Sequence, residues 1–248
     1  MAIFNTVPPL KAGPGIKFDG ERISTAAAPR NWLDNSDFTN LVAQAGIGGK
    51  HGNVAYAADR WILTSGTVEY TTGVGLKLNG TITQRMERVP DTPTCFIGMT
   101  AGTATISING NEVTITSAGG VIKWAAVYDG AYTTETLPEY QPKGYMCELL
   151  ECKRYYQAFA NNAFLGTGVV TNNYVQGYIA TDVQMRVKPT LVGTIGVYNG
   201  DSTTTASELR ECANQGCGFR VNLVLISNLV TSALCIYAQS QVSFSADL

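Results

Sequence analysis

Short runs in which apolar and polar side chains alternate, punctuated by glycine and asparagine, hold this chain to a β architecture over most of its length. Alternation with a period of two sends one set of side chains to a core and the other to solvent, the pattern of a half-buried strand. Around Asn109-Gly110-Asn111, Ile106 and Ile108 are spaced to pair with Val113 and Ile115. That is a hairpin with its turn residues in place. Gly75 to Gln84 and Val121 to Tyr128 read as further strands. The 26 glycines and 12 tyrosines, with abundant Thr, Asn and Val, favour strands and turns over helices. The predicted fold class is mainly β, a jelly roll or β-sandwich with one short helix and an extended N-terminal arm.

Three segments follow from the pattern. Residues 1–30 form a lead-in, with Val7-Pro8-Pro9-Leu10 extended by its prolines. Within it Ile16 and Phe18 alternate with Lys17, Asp19-Gly20 marks a tight turn and Ile23 starts a return strand. A hairpin this small is marginal alone and gains support when several copies pack together. Residues 31–140 read as one all-β unit, and residues 141–248 as a C-terminal β domain. Pro138 to Gly144 is the boundary.

The best helix candidate is 146–159, where Leu149, Cys152 and Tyr156 fall at i, i+3 and i+7 between charged residues. After it the alternation returns in Val183 to Pro189 and from Leu234 to Phe244, and Val221 to Leu229 is more continuously apolar. Ser243 to Leu248 looks like a terminal strand locked into a sheet.

Composition excludes several functions. Charged residues make up 15% of the chain and the formal net charge is −2, so there is no clustered basic face for nucleic acid. Charge this sparse points to surface hidden between subunits, because interface cores are depleted in charge. No stretch is long and apolar enough to insert in a membrane, and no basic region followed by an apolar run opens the chain. Synthesis in a cytoplasm and release by lysis fit these features. Two cysteine pairs, Cys147/Cys152 and Cys212/Cys217, share a C-x4-C spacing, whereas zinc sites usually leave two residues between close cysteines. Buried free thiols are the expectation, with no metal and no cofactor.

Catalytic signatures are missing too. His51 is the single histidine, in a glycine-rich stretch that reads as a flexible surface loop. No G-x-S-x-G elbow supplies a nucleophile, and no P-loop or dinucleotide fingerprint is present. Asp59, Asp129 and Glu135 are candidates for a glycosidase pair, yet nothing in the sequence sets two of them face to face. No fixed-period repeat suggests a β-helical depolymerase. The chain is read as a non-enzyme.

Tyrosine-rich loops are the remaining candidates. Sugar recognition needs flat aromatic faces beside groups that reach hydroxyls. Tyr128 and Tyr132 in one loop, and Asn173, Tyr174 and Tyr178 in another, have that composition. The same tyrosines suit contact with a sister subunit. Trp32, Trp61 and Trp124 are expected to fill the core.

Taken in order, these motifs resemble bacteriophage tail-fibre and virion-appendage proteins. Gly13 to Thr25 is similar to units of trimeric fibre shafts. The opening Asn31 to Phe38 with Asp59-Arg60-Trp61, and the closing Lys123 to Thr134, resemble the ends of carbohydrate-binding-module-like jelly rolls. Val127-Tyr128-Asp129 departs from the Leu-Glu more common there. Glu148 to Tyr156 and Met185 to Thr190 recur as a pair in the C-terminal halves of such proteins.

The resemblance implies a short homotrimeric tail or head fibre, with Ile16, Phe18, Ile23 and Arg186 between subunits. Arg186 reads equally well as a solvated residue on composition alone. The N-terminal arm would attach to other virion proteins, and the loops would meet a host-surface glycan or receptor. The alternative is a capsid decoration, neck or connector protein without receptor binding.

Overall fold

The computed structural model describes residues 16–19, 22–25, 29–51, 53–171, 174–198, 203–214, 218–225 and 233–246. The fold is mainly β and sandwich-like, built from antiparallel sheets, as the alternation predicts. Strands β1 (Ile16–Asp19) and β2 (Arg22–Thr25) form the anticipated hairpin, with Phe18 opposite Ile23 and Ile16 opposite Thr25. The proline-containing lead-in before it, residues 1–15, lies outside the described residues.

The first large sheet contains β3 (Lys50–His51), β4 (Val54–Ala58), β5 (Trp61–Thr71), β6 (Gly75–Arg85), β7 (Pro93–Ala101), β8 (Ala104–Asn109) and β9 (Glu112–Asp129). Its order is β3-β4-β5-β6-β9-β7, and β8 pairs the first half of β9 on the edge that β7 takes further along. Ile106 sits opposite Ile115 and Ile108 opposite Val113, across a turn where Gly110 has φ +58°. That backbone region is cheap only for glycine. Leu76, Leu78, Ile82, Val113, Ile115, Ile122 and Trp61 form the buried core of this unit.

The single described helix is α1 (Tyr145–Lys153). It stops before Tyr156, which lies in β10 (Tyr156–Phe159). The predicted stripe is therefore corrected: Glu148 and Cys152 are the helix's buried residues, Leu149 is half-buried, and Tyr156 is buried as a strand residue.

Beyond it come β11 (Phe164–Thr171), β12 (Tyr174–Ala180), β13 (Thr190–Val192), β14 (Ile195–Tyr198), β15 (Thr203–Asn214), β16 (Gly218–Leu225), β17 (Ala233–Ala238) and β18 (Val242–Ser245). Six of these close a barrel in the order β11-β12-β16-β15-β14-β17. Strand β18 runs between β10 and β13, so the late strand is locked into a sheet as anticipated over Val242–Ser245. The alternating run from Leu234 is two strands with a turn, and not one.

Val183 to Pro189 is not a strand, despite its alternation. The Gln157 side chain takes the place of a neighbouring strand. Its Nε2 donates to the Val183 carbonyl at 3.4 Å and its Oε1 accepts from the Asp182 N–H at 3.3 Å. Arg186 N–H donates to the Arg154 carbonyl, and Pro189 has no N–H to offer a ladder.

The start of the first unit is fixed by a polar hub. Asn35 is buried in left-handed backbone (φ +50°) and its side chain donates to the carbonyls of Val42 and Asp59, both at 2.8 Å. Its Oδ1 accepts from Val42 N–H, and its carbonyl accepts from Trp61 Nε1. Asn35→Ala removes three buried side-chain hydrogen bonds at roughly 1 kcal/mol each and leaves an alanine in a left-handed conformation. A stability loss of about 4 kcal/mol is expected by urea denaturation. A loss within the ordinary range of a surface substitution would refute the hub.

Candidate functional site

The site arises from two irregularities in β9. Val113 and Ile115 face the core, so regular alternation would carry odd-numbered residues inward along the whole strand. A bulge at Gly119, opposite Leu78/Asn79, shifts the register and turns Ile122 inward. Gly119 has φ +91°, which a side chain would strain. A second bulge, at Lys123 opposite Gly98/Met99, restores the odd phase, so Ala125 and Val127 are core. Trp124 is thereby sent to the face away from the core. An extra residue in a strand re-aims the side chains that follow it.

On that outer face Trp124 lies over Gly98. A Cβ at Gly98 would stand 2.2 Å from the indole Nε1, so only glycine leaves room for the ring. Tyr140 stacks on Trp124 with ring centroids 4.9 Å apart and an interplanar angle of 6°. Its hydroxyl pairs with Ser36 Oγ at 3.2 Å, and burial raises its pKa far above the ordinary tyrosine value.

An open groove of about 490 Å³ runs beside this stack. Leu137, Pro138 and Pro142 form an apolar wall, and Asp37, Thr39, Lys123 and Glu139 supply polar groups. Asp37 is held in place, since one carboxylate oxygen accepts from both the N–H and the hydroxyl of Thr39. Half-buried aromatic rings with convergent donors and acceptors are the chemistry of saccharide recognition.

The helix seat lies elsewhere. Asn35 N–H donates to Glu148 Oε2 at 2.6 Å, while Glu148 Oε1 is buried without a hydrogen bond. Lys143 reaches Glu151 at 2.6 Å and Asp34 at 3.6 Å, and donates to the Leu33 carbonyl. Arg60 sits 3.4 Å above the centre of the Tyr155 ring. His51 is buried, contrary to the surface-loop expectation. It stacks between Tyr56 and Tyr156 at 3.8 and 3.5 Å, with Asp59 3.7 Å from its Nε2. Both oxygens of Asp59 accept from Gln44, whose amide also donates to the Tyr156 carbonyl.

The anticipated ligand residues do not form one cluster. Tyr128 is 2% exposed and packs against Phe96 and Tyr132, so its ring is not presented to a ligand. Tyr132 is half-buried as its cover. Tyr174 and Tyr178 lie on the outer face of the barrel, and Asn173 lies outside the described residues. Tyr178, Thr167, Cys235 and Tyr198 stand in one cross-strand row of exposed side chains, none of them charged.

Arg186 forms an ion pair within its own chain, 3.5 Å from Glu87. Of the tryptophans, Trp61 is core as expected, whereas Trp32 and Trp124 are half-buried and line clefts. Among the cysteines, Cys152 is buried and Cys95 half-buried, but Cys147 and Cys235 are exposed. The side chains of Ile16, Phe18 and Ile23 are not among those described. Comparison with known proteins finds no matching family model, no similar curated protein and no similar solved structure.

Burial pushes the Glu148 carboxyl up to about 7 from an ordinary 4.5, against the opposing pull of Lys143 and the Asn35 N–H. Glu151 and Asp34 reinforce the rise. A folded pKa above the unfolded one gives stability that is complete below pH 4.5 and is lost as pH rises towards 7. The loss is at most about 3 kcal/mol. Glu148→Gln is expected to remove this slope between pH 5 and 8 in urea titrations. An unchanged slope in the variant would assign it to other groups.

Proposed function

We propose that this chain is a non-enzymatic structural protein of a bacteriophage virion, a short trimeric tail or head fibre that binds a host-surface glycan. The single observation that carries the binding half is the groove beside the Trp124–Tyr140 stack, with Asp37, Thr39, Lys123 and Glu139 around it. A sugar ring would lay its C–H face along the aromatic pair and direct hydroxyls to the polar groups.

The virion half is supported by the order of the motifs along the chain. The uncharged row Tyr178, Thr167, Cys235 and Tyr198 supports assembly, because tyrosine-rich, charge-poor surface is the composition of subunit contacts. Weak sites on three identical chains suit adhesion, since avidity exceeds single-site affinity by about 10²–10⁴-fold. In the alternative reading, a decoration or connector protein, the groove has no ligand and the stack is packing.

Glycan-array binding followed by titration of the best hit is the test. Trp124→Ala and Gly98→Ala, the second by displacing the indole, are each expected to weaken binding about tenfold. Absence of binding to any glycan, or binding indifferent to both variants, favours the decoration role. Light scattering of the intact chain at micromolar concentration is expected to give a trimer mass, and a monomer would refute the fibre assembly.

A further inference from the structure

We infer that the cleft between Trp32 and Tyr155 is a second binding site, for an oxyanion: a phosphate, a sulfate or the carboxylate of an acidic sugar. It shares no residue with the groove beside Trp124 and does not depend on the glycan reading. Its volume is about 240 Å³, enough for one such group.

The charges around it do not balance. Three carboxylates line the cleft, and each already has a cation. Asp34 is shared by Arg60 at 3.2 Å and Lys143 at 3.6 Å. Glu87 is shared by Arg154 at 3.0 Å and Arg186 at 3.5 Å. Glu151 takes Lys143 at 2.6 Å. Four basic side chains thus satisfy the three acids.

Arg30 and Arg88 remain, and both line the cleft. Among the described residues neither has a carboxylate within ion-pair reach. Both are placed by the same ring: Arg30 lies 4.8 Å and Arg88 6.0 Å from the centre of Trp32. A cation held over an indole is oriented without being neutralised. Six cations thus surround three carboxylates, a local excess of three positive charges, in a chain whose net charge is −2.

The geometry suits an anion in a further respect. A guanidinium presents its donors in a planar fork that matches two oxygens of one phosphate, sulfate or carboxylate. Two such forks beside one ring, at the mouth of a cleft, can grip one group from two directions. A neutral sugar would gain little here, because the arginines already occupy the indole.

The test follows the Trp32 indole resonance by NMR, assigned with Trp32→Phe. The intact protein is titrated with inorganic phosphate, sulfate, glucuronate and neutral glucose at constant ionic strength. A saturable shift with one or more of the anions, and none with glucose, is expected. The anion that saturates at the lowest concentration distinguishes a phosphorylated or sulfated ligand from an acidic sugar.

Arg30→Gln and Arg88→Gln are surface changes that preserve fold, and each is expected to weaken binding about tenfold. The double variant should lose the shift while keeping any glycan affinity that Trp124→Ala removes. Shifts that sodium chloride reproduces, that do not saturate, or that persist in the double variant overturn the site.

Discussion

Asn35 is the interaction on which the rest of the structure depends. A buried asparagine in left-handed backbone ties the entry segment to Val42, Asp59 and Trp61 at once, and its N–H reaches across to Glu148. Asparagine suits this post because its short amide tolerates the left-handed region and offers both donors and an acceptor. Through Trp61 the hub fixes the core of the first sheet, and through Glu148 it seats the helix. Remove it and the two halves lose their common reference point.

Around this hub, the opening motif and the helix motif acquire a physical meaning. Asn31 bonds Ser36, Ala125 and Val127, so the opening segment runs along the part of β9 that β6 leaves uncovered. Asp34 and Gln84 exchange two hydrogen bonds. Glu148, Tyr155 and Tyr156 dock on Asn35, Arg60 and His51. These are architectural contacts, buried and mutually dependent. The two clefts proposed for ligands lie beside them, at Trp124 and at Trp32, where the same framework leaves aromatic rings half-covered.

Glu148 gives the framework a conditional element. Its carboxyl is stable as a neutral group in its buried seat and costs free energy once ionised. Lys143 reduces that cost from its position between Glu151 and Asp34. The seat of the helix is thus tighter in mildly acidic than in alkaline solution.

The sequence by itself determined the β class, the two hairpins at 16–25 and 106–115, and a helix near 146. Each rests on local periodicity and turn chemistry, which act within a few residues. It did not show that Ile122 and Trp124, two residues apart, take opposite faces, because one bulge in β9 shifts the alternation and a second restores it, and a bulge is defined by the partner strand. Nor did it reveal that Gln157 would replace a strand for Val183 to Pro189, that Arg186 would meet Glu87, or that His51 would be stacked between two tyrosines. Those are pairings between residues distant in the chain. Both candidate sites belong to that second class: they exist only where separate segments close on one another, so tertiary structure alone decided them.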